Sequence, residues 1–248
     1  MIIKKAKLTI ESFLSPRFFK KLLAARAVLT RILKPKSGYF LFKIPKRNLQ
    51  PLSRKYGFDR GQPIDRFYIE KFLKENESVI KGACLEIHDN DYTVRFGKNK
   101  VIKSDILDID QNNKQATIYG DLRNLQNIQK NTYDCLIITQ TLGMIDDYEA
   151  AVREIHRILK PDGCLLLTVS ATAPILDPEK SFWRFTQASI NYIFGKYFKK
   201  NKMQTKSYGN VLAGQAFWVG LAVEDMEKSE LEFNDPLYPL IIALRAYK

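Results

Sequence analysis

The sequence predicts a doubly wound α/β domain on a mostly parallel sheet, with a basic helical arm ahead of it. Three observations carry that expectation. Strand-like and helix-like patterns alternate from about residue 62 onward, as βα units do. One strand, Tyr133-Asp-Cys-Leu-Ile-Ile-Thr139-Gln140, is apolar through its middle, as a central parallel strand covered on both faces must be. Polar side chains also recur where strands end: Glu86, Asp105, Asp121 and Gln140 fall at the edge where such sheets bind ligands.

The arm comes first in the chain. Residues 1–60 hold 16 Lys and Arg against Glu11 and Asp59, a net charge of +14, so the remaining residues net −1 and the whole chain +13. Ser15-Pro16 has the chemistry of a helix start. Phe18, Leu22, Ala25, Leu29 and Ile32 then follow helical spacing among Arg17, Lys20, Lys21, Arg26, Arg31 and Lys34. A basic amphipathic helix over residues 15–36 packs on the domain or a partner in the plainer reading. In the functional one it lies on an anionic membrane surface. Nucleic acid is the least favoured target, because the domain itself carries no basic groove. Pro45, Pro51, Gly57, Gly61 and Pro63 mark a linker or lid, which divides the chain into an arm of residues 1–61 and a domain of residues 62–248.

Within the domain, Ile64 to Leu73 reads as a helix that places Asp65, Arg66 and Tyr68 near a ligand, or else as an ordinary amphipathic helix. Cys84-Leu85-Glu86-Ile87 is a first strand ending on a carboxylate, and His88-Asp89-Asn90-Asp91 is a polar turn. Val101-Ile102 opens the next apolar run and Asp105 is read as its end, 19 positions after Glu86. A carboxylate about 20 residues beyond a first strand end is where nucleotide-binding sheets hold ribose hydroxyls, since it accepts the two hydrogen bonds that a diol donates. Thr117 to Leu122 is a third strand, Tyr148 to Leu159 a helix, and Cys164 to Val169 a fifth strand. Val211 to Asp225 reads as a helix rich in small residues.

Composition excludes several classes. The apolar share, 45%, is that of a globular protein, and no run of 18 apolar residues suits a bilayer. The first residues lack the apolar core of a signal peptide. Cys84, Cys135 and Cys164 have no disulfide or metal spacing, and no HExxH or His-carboxylate cluster suggests a metal. A cytoplasmic protein, peripheral at the membrane if the arm docks there, is the expectation.

The segment YDCLIITQTLGMIDDYEAAVREIHRILKPDGCLLLTV resembles the fourth-strand to fifth-strand region of class I S-adenosylmethionine-dependent methyltransferases, and GDLRNL before it and WRFT at Trp183 to Thr186 are similar to the superfamily's small-molecule and sugar-pathway members. The resemblance implies a seven-stranded Rossmann-like sheet closed by an antiparallel hairpin, with Lys202 to Tyr208 and Leu240 to Tyr247 as its strands. It implies S-adenosylmethionine as cofactor, with Glu86 under the methionine moiety, Asp105 on the ribose, Asp121 and the Leu122 amide at the adenine, and Gln140 between methionine and substrate. His88 is expected to contact the cofactor. One departure is plain: the family's first turn is acidic-x-Gly-x-Gly, whereas Glu86 to Asp91 contains no glycine, so His88 is expected to crowd the methionine chain.

Tyr68, Tyr92, Trp183 and Arg184 are the candidate substrate contacts, with Trp183 and Arg184 equally readable as a structural cap. Asp146, Asp147 and His88 are weak candidates for a base, none is assigned, and His156 reads as structural. An association of GNVLA with glycan pathways points to O-methylation of a saccharide or related small acceptor. The alternative is a non-catalytic binding or scaffold protein on the same fold, docked through its arm.

Overall fold

The computed structural model describes residues 49–175 and 177–248. The basic helix expected at residues 15–36 lies outside the described residues. Helix α1 (Ile64–Glu75) leads into β1 (Gly82–Ile87), then β2 (Val101–Asp108), β3 (Ile118–Tyr119), β4 (Tyr133–Thr139), α2 (Tyr148–Ile158), β5 (Leu159–Ser170) and α3 (Gln187–Phe194). Strand β6 (Met203–Tyr208), α4 (Val211–Val219), α5 (Lys228–Glu232) and β7 (Ile241–Tyr247) complete the chain.

The seven strands form one sheet in the order β3-β2-β1-β4-β5-β7-β6. All pairings from β3 to β5 are parallel, and β7 runs antiparallel to both β5 and β6. The chain order reverses between β1 and β4, so the crevice at their carboxyl ends is the place where this architecture takes ligands.

Alternation along the strands builds two cores. Leu136 and Ile138 of β4 with Leu165 and Leu167 of β5 pack under α2 and α3 against Ile155, Ile158 and Phe194. Cys135, Ile137, Cys164 and Leu166 face the other way, toward Ile64, Tyr68 and Phe72 of α1 and Ala216 and Phe217 of α4. The three cysteines lie in register across β1, β4 and β5 as buried free thiols. Helix α2 starts where the Asp147 side chain accepts from the Ala150 amide, and α3 opens on a Thr186–Ser189 capping box.

Three expectations change. The small-residue helix ends at Val219 rather than Asp225, because Gly220 takes a left-handed cap at φ 78°. The Leu52 and Ser53 amides bond the Val219 carbonyl there, so the end of the expected linker packs on the domain, and Arg60 pairs with Asp225 at 2.7 Å. Most consequential for the site, β2 runs to Asp108, three residues past Asp105.

Candidate functional site

The carboxyl ends of β1 and β2 are joined by the turn that lacks glycine. The Glu86 side chain is 2% exposed and accepts from the Thr93 amide and hydroxyl, both at 2.7 Å, and from the Tyr92 amide at 3.3 Å. It thereby caps the short π-type helical turn Thr93–Gly97. Burial pushes its carboxyl up to about 7; the Thr93 and Tyr92 bonds oppose that rise and the charge of Asp89 adds to it. His88 sits at φ 74°, the left-handed conformation that glycine takes without cost. Its amide donates to the Leu107 carbonyl at 2.9 Å, which ties the turn to β2.

The His88 ring turns toward β2, where Nδ1 lies 2.9 Å from Asp108 Oδ2. Asp108 also accepts from Asn113 Nδ2 at 2.7 Å and the Asp110 amide at 2.9 Å. Burial works to raise the Asp108 carboxyl, but the Asp110 amide, Asn113 and His88 outweigh it and hold the group below its ordinary value. A carboxylate with an ionised, mostly enclosed acceptor pair at the end of the second strand is thus present, at Asp108.

Asp105 is elsewhere. It lies inside β2 opposite Leu85, 6% exposed, bonded to the Tyr133 hydroxyl at 2.8 Å and to Lys103 at 2.6 Å. The strand-end position that the sequence reading gave to Asp105 belongs to Asp108. The apolar run Ile106-Leu107 beyond Asp105 was the signal, since a run that continues has not ended.

The other residues fall as follows. Asp121, just past β3, is gripped by Arg123, whose Nε donates at 2.9 Å and which also reaches Asp146 at 2.6 Å; Arg123 holds the Asp121 carboxyl below its ordinary value, and the Asp147 amide with Arg123 does the same to Asp146. Leu122 beside it is buried. Gln140, at φ 55°, accepts from the Ser170 hydroxyl at 2.6 Å and is held to the end of β5. Tyr92 lies beside the turn, and its hydroxyl accepts from Arg66 at 3.1 Å. Tyr68 is a core residue, 1% exposed against Phe67 and Tyr208, and its hydroxyl has no partner among the described residues. Of the weak base candidates, Asp146 is ion-paired, Asp147 caps α2 and His88 holds Asp108. His156, half-buried on α2, packs edge-on against Phe198.

Trp183 bonds the Ile145 carbonyl through Nε1 at 2.9 Å and meets Tyr148 edge-on at 5.2 Å. Its amide and that of Phe182 donate to Gly143, so the segment is tied to the loop after β4. The same segment also walls a cleft of about 280 Å³ past the end of β5, lined by Thr172, Ile175, Phe182, Trp183, Arg184 and Trp218. Trp183 is therefore a structural tie and a cleft wall at once. Trp218, whose Nε1 donates to the Thr172 hydroxyl at 2.9 Å, was not foreseen; lying near the end of a helix that is apolar but for Gln215, it carries no distinguishing pattern.

Residues 90–167 match the methyltransferase domain family, a span that begins within the glycine-free turn. A demethylmenaquinone methyltransferase of Staphylococcus epidermidis is 27% identical over 49% of this chain and 46% of its own length. A ubiquinone/menaquinone biosynthesis C-methyltransferase of Pasteurella multocida is 32% identical over 44% of this chain and 38% of its own. The chain thus spans less than half the length of these curated relatives. Among solved structures, an S-adenosylmethionine-dependent methyltransferase from Archaeoglobus fulgidus shares the fold at a TM-score of 0.52 and 13% identity, over 74% of this chain and 94% of that one. One from Mesorhizobium loti does so at 0.51 and 13%, over 75% and 100%.

Residues 90–167 thus carry the match to a methyltransferase domain, and the fold is that of solved S-adenosylmethionine-dependent methyltransferases, whose cofactor is S-adenosylmethionine. The donor set of the turn fits that molecule in kind: enclosed carboxylates at the ends of adjacent strands suit a ribose diol and an ammonium group. The one poor fit is the His88 ring, which stands where the superfamily's backbone is bare and engages the diol-competent carboxylate.

Proposed function

We propose that this protein is an S-adenosylmethionine-dependent methyltransferase acting on a small aromatic acceptor. The observation that carries the reading is the β1–β2 edge, where Glu86 and Asp108 close two adjacent parallel strands beside the topological switch point. In this reading Asp108 accepts the ribose hydroxyls, Glu86 orders the turn beneath the methionine end, and Asp121 with the Leu122 amide meets the adenine. Gln140, fixed by Ser170, borders the junction of cofactor and acceptor.

The bound cofactor supplies an activated methyl group, so the chain's task is alignment and exclusion of water rather than elaborate acid–base chemistry. The cleft at the end of β5 is where the acceptor lies. Its walls are Ile175, Phe182, Trp183 and Trp218, with Arg184 as the one charged side chain. Flat apolar walls bury a planar ring well. The relatives' names refer to quinone precursors, which agrees with such walls, and the saccharide expectation gives way to an aromatic acceptor bearing a polar group for Arg184. The expected glycan assignment rests mainly on association.

A second reading, a fold that binds without catalysing, is favoured by one feature: His88 and Arg123 already hold two of the carboxylates that a cofactor would use. Calorimetric titration with S-adenosylhomocysteine, followed by transfer of a labelled methyl group to phenolic and naphthoquinol acceptors, separates the two. Micromolar binding with transfer supports the enzyme; folded protein that neither binds nor transfers supports the second reading.

A further inference from the structure

The turn after β1 poses an electrostatic problem. Asp89 and the partly ionised Glu86 place negative charge there, Asp91 being paired with Arg95 at 3.0 Å, and a zwitterionic amino-acid group meets attraction at its ammonium end and repulsion at its carboxylate end. In superfamily members with a glycine-rich turn the bare backbone leaves room for both ends. This chain needs another source of positive charge.

Helix α1 holds one. Arg66 lies in its first turn, half-buried, and among the described residues its guanidinium makes a single hydrogen bond, to the neutral phenol of Tyr92. Among the described arginines, Arg60, Arg95, Arg123 and Arg157 each pair with a carboxylate within 3.0 Å, whereas Arg184 and Arg245 bond only neutral oxygens and Arg66 is the unpaired one that lies beside the turn. The charged and titratable groups facing Arg66 are Asp65, Asp89 and Tyr92. Asp65 and Asp89 stand beyond ion-pair distance of it, so the fork keeps free donors toward the turn. A guanidinium taken out of water with most of its donors unused is costly unless an anion completes it. Tyr92 also fixes where the fork sits, because its amide is bonded to Glu86.

We propose that Arg66 is the binding partner of the cofactor's α-carboxylate, supplied from α1 to a turn whose own acids would otherwise repel it. The inference rests on the reading of the β1–β2 edge as an S-adenosylmethionine site. Arg66 lies outside residues 90–167, the span that matches the methyltransferase domain family.

The test uses two probes that share the adenosine and differ in the amino-acid end. S-adenosylhomocysteine carries the carboxylate, and 5′-methylthioadenosine lacks it. Calorimetric titration of the full chain with each is compared among wild type, Arg66→Ala and Arg66→Lys, with thermal melts to confirm folding. Loss of a charge-assisted hydrogen-bond pair predicts about 10- to 100-fold weaker binding of S-adenosylhomocysteine by Arg66→Ala. Methylthioadenosine affinity is expected to stay within about 3-fold, and Arg66→Lys to recover part of the loss. Equal weakening of both probes overturns the proposal, since it marks Arg66 as merely structural, and so does unchanged binding of S-adenosylhomocysteine. Wild-type protein that binds methylthioadenosine but not S-adenosylhomocysteine also overturns it while sparing the adenosine site. Binding of neither probe defeats the cofactor reading itself, and this proposal with it.

Discussion

Replacing His88 with glycine isolates the feature in which this chain departs furthest from the methyltransferase pattern it resembles. Two terms oppose each other in the free protein. A non-glycine residue at φ 74° carries about 1 kcal/mol of backbone cost, which glycine relieves. The ring's bond to Asp108 contributes about 0.5–1.5 kcal/mol, toward the lower end because the His88 side chain is 76% exposed. The terms nearly cancel, so the melting temperature of His88→Gly is expected within about 5 °C of wild type. Binding does not cancel. A ribose diol reaches Asp108 only if the ring leaves, so removing the ring returns that hydrogen bond to the ligand. The gain is about 0.5–1.5 kcal/mol, or about 2- to 10-fold tighter binding of S-adenosylhomocysteine. Calorimetry at fixed salt and pH reads it directly. A folded His88→Gly protein with equal or weaker affinity would refute the reasoning, because it would mean that the ring helps the ligand or never touches its path.

Three further outcomes follow from the same geometry. Asp108→Asn is expected to weaken S-adenosylhomocysteine binding by at least about 10-fold with a small change in stability. Asp105→Ala does the reverse, costing about 1–3 kcal/mol in urea melts by orphaning the buried Tyr133 hydroxyl; a matching loss of affinity in both variants would contradict the assignment. Glu86, with its carboxyl pushed up to about 7, holds a proton in the folded state that the unfolded chain has already released. Its contribution is full below about pH 4.5 and is lost as pH rises through about 7, a swing of about 3 kcal/mol that Glu86→Gln should flatten in melts taken from pH 5 to 8. Tyr68→Phe removes a buried hydroxyl with no partner among the described residues, and is expected to stabilise the protein by up to about 1 kcal/mol; destabilisation would reveal a partner for that oxygen.

Much of the fold was legible because burial leaves a dense signal. β4 and β5 stand between two cores, so Leu136 to Ile138 and Leu165 to Leu167 had to be apolar on both faces. The closing hairpin came from resemblance; Met203–Tyr208 and Ile241–Tyr247 bear it out. The Asp105 misplacement has a physical cause. A charge inside a strand is rare enough that one reads as a strand end, and here Lys103, two residues earlier, and the Tyr133 hydroxyl make it tolerable, the buried Tyr133 partner being too remote in sequence to announce the role. Trp183 shows the same limit: its indole bonds carbonyls at Ile145 and Asp146, a long-range tie that no local pattern encodes. The helix α4 pattern gave small residues correctly and missed that Gly220 would stop it, since a glycine among glycines and alanines looks like packing rather than punctuation.

The central claim is that the end of β2, at Asp108, is the ribose anchor of an S-adenosylmethionine site. A crystal structure of the complex with S-adenosylhomocysteine tests it most directly. The predicted result is a ribose diol within hydrogen-bond distance of both Asp108 oxygens, with the His88 ring turned away. A ligand seated away from the β1–β2 edge, or a ribose bonded to other groups while His88 still holds Asp108, would contradict the account.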